Sequence, residues 1–68
     1  MTRLRINGEE AEVAVTTIAE LLAERGIDPK ARFLAVAVNG AVVRRVAWPT
    51  TAVRDGDMVE IIRAMSGG

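Results

Sequence analysis

Residues 2–6 alternate in character, with Leu4 and Ile6 on one side and Arg3 and Arg5 on the other. A period of two marks a strand with one buried face. Asn7-Gly8 follows, and from Glu9 to Val15 the alternation resumes with Ala11, Val13 and Val15 on one face. Two alternating runs joined by Asn-Gly predict a β-hairpin with a two-residue loop, because both loop positions tolerate positive φ. The loop length dictates the register. Arg5 faces Glu10 and Arg3 faces Glu12 on the outside, while Leu4 faces Ala11 inside. Opposite charges paired across strands contribute about 0.2–1 kcal/mol each, and a slip by one residue would bury them.

The period changes at Thr17. Thr17 and Glu20 have the spacing of a capping box, and Ile18, Leu21 and Leu22 form one apolar stripe at helical spacing. Gly26 is placed to stop the helix as a left-handed cap, with Ile27 folding back on the last turn. The expected helix runs from Ile18 to Arg25. At roughly two turns it is too short to hold alone, so it must lie on a sheet. Asp28-Pro29 opens a polar connection with room for one tight turn.

Phe33 to Val38 reads as a third strand, and Asn39-Gly40 as a second hairpin turn that sets Val38 opposite Ala41 and Val36 opposite Val43. The fourth strand is expected from Ala41 to about Arg45. Pro49 breaks regularity and biases Trp48 towards an extended backbone, leaving residues 50–54 irregular. Asp55-Gly56-Asp57 is a turn that launches a last strand, Met58 to Ala64. That strand carries Val59 and Ile61 on one face and Met58 and Ile62 on the other, the mark of a strand inside a sheet. Hairpin, helix, hairpin, turn and late central strand describe an α+β fold of the β-grasp kind. It has a mixed sheet of about five strands and one main helix on one face. The expected division is a β-grasp domain over 1–64 and a flexible C-terminal tail over 65–68.

Composition narrows the chemistry. The 68 residues include no cysteine, histidine or tyrosine, which removes most metal sites, general bases and nucleophilic dyads. Nine basic residues balance nine acidic ones, so nothing favours a nucleic-acid or acidic membrane partner. The first twenty residues are too charged for a signal peptide, and no apolar run is long enough to cross a bilayer. The chain reads as a cytosolic protein that binds no cofactor and is not an enzyme. Asp55 and Asp57 supply too few oxygens for a cation and read as turn residues. Arg44 and Arg45 suit a solvated strand end or a docking contact, and Trp48 suits the core edge or an interface.

What remains is Gly67-Gly68, on which the sequence ends. A tail without β-carbons can enter a slot too narrow for other residues. An α-carboxylate at its tip would be ionised, with pKa about 3.3–3.7, and so a poor electrophile until converted to an anhydride. If the helix covers the face bearing Val59 and Ile61, Ile62 falls on the uncovered face near this tail, where clustered apolar residues mark a partner surface. Ile62, Met65 and the tail are then expected to dock together on a partner.

Two stretches carry a resemblance. VAVNGAVVRRVAW from Val36 and VRDGDMVEIIRAMSGG from Val53 resemble the sulfur carrier family of thiamine biosynthesis, ThiS, within the ubiquitin-like MoaD/ThiS group. The specific pieces are Ala37-Val38-Asn39, Arg45, Trp48, Gly56-Asp57 and the closing Gly67-Gly68. Members commonly carry proline before that arginine, where this chain has Arg44.

The resemblance implies that a ThiF-type enzyme uses MgATP to adenylate the Gly68 carboxylate. A persulfide sulfur donor then displaces AMP to leave a thiocarboxylate, and thiazole synthase takes the sulfur for the thiazole ring. Ser66 and Gly67 would complete the tail, with Ile62, Met65, Arg45 and Trp48 as partner contacts. Three alternatives stay open. One is the small subunit of molybdopterin synthase, whose chains tend to be longer and to carry a Pro-Pro pair missing here. The others are a ubiquitin-like modifier joined to lysines, and a non-covalent β-grasp interaction module.

Overall fold

The computed structural model describes residues 1–63. Strands β1 (Thr2–Ile6), β2 (Glu9–Val13), β3 (Leu34–Val38), β4 (Ala41–Val43) and β5 (Met58–Arg63) form one sheet in the order β2-β1-β5-β3-β4. Helix α1 (Ile18–Glu24) follows β2, and a 3-10 helix spans Arg45–Thr50. The last strand is central as expected, parallel to β1 and antiparallel to β3. This is the mixed five-stranded β-grasp sheet that the sequence pattern predicts.

Both hairpins adopt the register that their Asn-Gly loops require. Arg3 pairs with Glu12, Leu4 with Ala11 and Arg5 with Glu10. The two outward ion pairs close to 3.8 Å at well-exposed positions, where each contributes about 0–1 kcal/mol. In the second hairpin Val38 lies opposite Ala41 and Val36 opposite Val43. Strand β2 ends at Val13 rather than Val15, because Val13 already pairs with Thr2 at the start of β1. Val15 still packs against the core.

The helix keeps its predicted start and stops one residue early. The Thr17 side chain accepts the Glu20 N–H at 3.2 Å. The return arm of the box goes elsewhere: the Glu20 carboxylate accepts the N–H of Thr16 at 2.7 Å and its hydroxyl at 2.9 Å. Those bonds, the backbone one foremost, hold the Glu20 carboxyl below the usual glutamate range. At the other end Arg25 is the cap. Gly26, at φ +73°, bonds the Ala23 carbonyl, and Ile27 bonds that of Leu22, the Schellman pattern. Ile18, Leu21 and Leu22 are completely buried beside Leu4, Val36, Val59 and Ile61. Each such side chain contributes about 1.5–3 kcal/mol on leaving water.

Three stretches depart from expectation. Phe33 does not begin β3; it sits at φ +59° and is 71% exposed, with the Arg32 guanidinium 5.5 Å from its ring centre. The carbonyls of Ala31 and Leu34 on either side are both held by Arg45, and the chain turns there. Next, β4 stops at Val43, and Arg45 belongs to the 3-10 helix, which runs through Trp48 and Pro49. Local bias against helix before proline is overridden by burial of the Trp48 indole. Finally, residues 51–53 are tied to the helix start. Ile18 N–H bonds the Thr51 carbonyl, Val53 N–H bonds that of Thr16, and Val53 enters the core. Among the described residues no helix is long and apolar enough to cross a membrane.

Candidate functional site

The helix covers one face of the sheet only. Alternation along β5 sends Val59 and Ile61 under the helix and leaves Met58, Glu60 and Ile62 on the other face. The register identifies their neighbours: Ile62 lies beside Ala35, and Glu60 beside Ala37, which in turn lies beside Val42. Ile62 is 54% exposed and Val42 75%. The half of this face built from β3, β4 and the end of β5 is therefore mostly aliphatic. The half built from β1 and β2 carries the Arg3–Glu12 and Arg5–Glu10 pairs. The open face is thus an aliphatic strip with a charged border.

Arg45 and Trp48 have structural employment. The Arg45 guanidinium donates to the Pro29 carbonyl, to that of Ala31 at 2.9 Å and to that of Leu34 at 3.3 Å. It also lies 4.9 Å from the centre of the Trp48 ring, within cation–π range. The indole is 2% exposed and donates Nε1–H to the Val43 carbonyl at 2.9 Å. Trp48 thus belongs to the core, where its surface is out of a partner's reach. Arg45 fastens the loop that precedes β3 to the segment that follows β4. A planar fork with several donors suits three carbonyls in a way that a lysine would not.

Arg44, where relatives by resemblance carry proline, has φ −65° and ψ 146°. That is the angle to which a proline ring locks its residue. Hydrogen-bonded pairs in this hairpin alternate from Val38–Ala41 to Val36–Val43, so the Arg44 N–H points away from β3. The departure leaves the backbone path as a proline would have it.

The acidic turn is spent on the fold as well. Asp55 accepts the Arg3 N–H at 2.8 Å, and Asp57 accepts from Arg54 N–H and the Asn39 side chain at 2.9 and 3.0 Å. No group of three or more metal-ligating side chains occurs among the described residues. What stands out among the described residues is the aliphatic half of the open sheet face, beside the end of the central strand. Met65, Ser66, Gly67 and Gly68 lie outside the described residues. Sequence reasoning found Ile62 and missed Val42, whose exposure depends on β4 being an edge strand.

Comparison with known proteins gives a consistent answer. The ThiS family model matches residues 4–68, a span that includes both closing glycines. The chain is 35% identical over 63 residues to the sulfur carrier protein ThiS of Thermus thermophilus, covering 93% of this chain and 95% of that one. It is also 39% identical over 67 residues to a thiazole synthase of Paramagnetospirillum magneticum, and spans 20% of that protein's length. Among solved structures, a thiamine biosynthesis protein (ThiS) from Geobacter metallireducens superposes with a TM-score of 0.80 at 34% identity. The match covers 98% of this chain and all of the other. A solution structure of a thiamine biosynthesis protein from the same organism gives a TM-score of 0.79.

Proposed function

Because this chain belongs to the ThiS family, sulfur carrier proteins of thiamine or related biosynthesis that are not themselves enzymes, we propose that its working group is the α-carboxylate of Gly68. An adenylating enzyme of the ThiF type activates that group with MgATP: a carboxylate oxygen attacks the α-phosphate and pyrophosphate leaves. The terminal sulfur of a persulfide then attacks the acyl carbon and displaces AMP. A second thiol cleaves the resulting S–S bond and frees the thiocarboxylate. Thiazole synthase accepts this sulfur for the thiazole ring. No step needs a side chain from the carrier, which fits a chain with no cysteine, histidine or tyrosine.

The observation that carries this reading is the family match running through Gly67 and Gly68. The aliphatic half of the open face, with Ile62 at the end of the central strand, is the surface that we assign to the two enzymes. We assign Met65, Ser66 and Gly67 to the lead that carries Gly68 to them. In this reading residues 1–64 are assigned to the body and 65–68 to the tail. The cytosol, where ATP and these enzymes meet, is the compartment that goes with this reading. The relative named as a thiazole synthase, matched over nearly all of this chain, favours thiazole over molybdopterin as the destination of the sulfur.

Intact mass of the protein isolated from cells tests the proposal. A fraction heavier by the exchange of one oxygen for sulfur is expected, together with a requirement for the thiazole precursor in a strain lacking the gene. A requirement for molybdenum cofactor would redirect the sulfur, and conjugates to lysines would point to a protein modifier. An unmodified population under every growth condition would leave only a non-covalent module.

A further inference from the structure

The two Asn-Gly turns do more than reverse the chain. Asn7 and Asn39 both sit in the left-handed region, at φ 50° and 52°, and both turn their side chains onto the central strand. Asn7 N–H donates to the Val59 carbonyl at 2.9 Å, and its side-chain oxygen accepts the Ile61 N–H at 2.8 Å. Its side-chain NH2 reaches the Ile61 carbonyl at 3.3 Å. Asn39 repeats the device from the opposite side. Its N–H donates to the Met58 carbonyl at 2.7 Å, and its side-chain oxygen accepts the Met58 N–H at 2.9 Å.

The position of the Asn7 bonds is informative. Arg5 and Asn7 donate in turn to Asp57 and Val59, the even spacing of a parallel ladder. Were β1 to continue, the carbonyl of residue 7 and the N–H of residue 9 would serve Ile61. The chain instead leaves β5 at the turn. One carboxamide replaces both missing groups, so β5 stays paired on this side for two residues beyond Val59. Without it the Ile61 amide would be open to water, on the strand segment that bears Ile62 and leads towards the closing glycines.

We propose that Asn7 is a positioning residue: its carboxamide fixes the course and rotation of β5 at Ile61, and through it the direction in which the chain is handed to the adenylating enzyme. The consequence for loading rests on the carrier reading above. The pairing at Ile61 does not, and Asn39 is a built-in control. It makes comparable bonds to the same strand at Met58, the first residue of β5 and ten positions before Gly68 in sequence.

Two glycine variants separate the roles, since glycine keeps the left-handed turn and removes only the carboxamide. By amide exchange on the free protein, Asn7→Gly should speed exchange at the Ile61 N–H by about tenfold and leave Met58 unchanged, with Asn39→Gly giving the converse. In sulfur loading at a temperature where both variants are folded, Asn7→Gly should lower kcat/KM several-fold while Asn39→Gly leaves it near the parent value. Asn7→Asp is the second probe. It tolerates the turn and keeps an acceptor for Ile61 N–H, but sets an oxygen against the Ile61 carbonyl, and it should fall between parent and Asn7→Gly in loading. Unchanged exchange at Ile61 in Asn7→Gly would overturn the proposal. So would equal loading defects in the two glycine variants, or none in either. If the parent itself takes up no sulfur, the carrier reading fails, and the exchange measurement still decides whether the Asn7 carboxamide holds β5 at Ile61.

Discussion

Strand β5 has two faces of nearly equal apolar content and opposite fates. Val59 and Ile61 are sealed beneath α1 together with Leu21 and Leu22, whereas Met58 and Ile62, one residue away along the same backbone, remain half exposed. Sequence character does not separate the two sets; what separates them is the single helix, which can cover only one side. A small domain with few apolar residues to spare would gain nothing in stability from Ile62 in water. The inner face makes the fold, and the outer face is the one assigned above to partner enzymes.

Damage to the two faces should therefore read out differently. Leu21→Ala removes buried volume from the inner face and should cost about 2–5 kcal/mol. That is a large part of the roughly 5–15 kcal/mol typical of whole domains, so thermal or urea unfolding should show a severe loss. Ile62→Glu strikes the outer face. It should leave unfolding within about 1 kcal/mol of the parent and weaken association with the adenylating enzyme by about 2 kcal/mol, measured by calorimetry. Equal binding, or unfolding as severe as that of Leu21→Ala, would erase the distinction between the faces.

Residues at the seam sharpen the contrast. Arg45→Lys keeps the charge but loses the fork that holds the Pro29, Ala31 and Leu34 carbonyls. A stability loss of about 1–2 kcal/mol is expected from denaturant unfolding. A loss of enzyme binding at unchanged stability would instead make Arg45 a docking contact. The smallest effect runs the other way. Arg44 already has a proline-like φ, so Arg44→Pro should raise stability by about 0.4–1 kcal/mol by narrowing the unfolded ensemble.

Local rules made much of this molecule legible. An Asn-Gly pair sets the register of each hairpin, Thr17 marks the helix start, and a strand apolar on both faces announces a place inside the sheet. The departures all depend on partners distant in sequence. The turn at Phe33 goes with carbonyls gripped by Arg45, more than ten residues on. Trp48 enters a 3-10 helix before proline with its indole buried, and Val53 is drawn into the core by bonds to the helix start. The second use of Asn7 was hidden for the same reason, since Ile61 lies 54 residues away. For the site, the outward direction of Ile62 followed from alternation, whereas the burial of Trp48 required its surroundings.

On the proposed reading, folding and sulfur carriage are held by different parts of the chain. Removing Gly68 alone, then comparing thermal unfolding and intact mass after incubation with the adenylating enzyme, MgATP and a persulfide donor, tests it most directly. The shortened chain should melt with the parent and gain no sulfur, while the parent gains the mass of an oxygen-to-sulfur exchange. Sulfur uptake by the chain lacking Gly68, or a collapse of its fold, would contradict that separation.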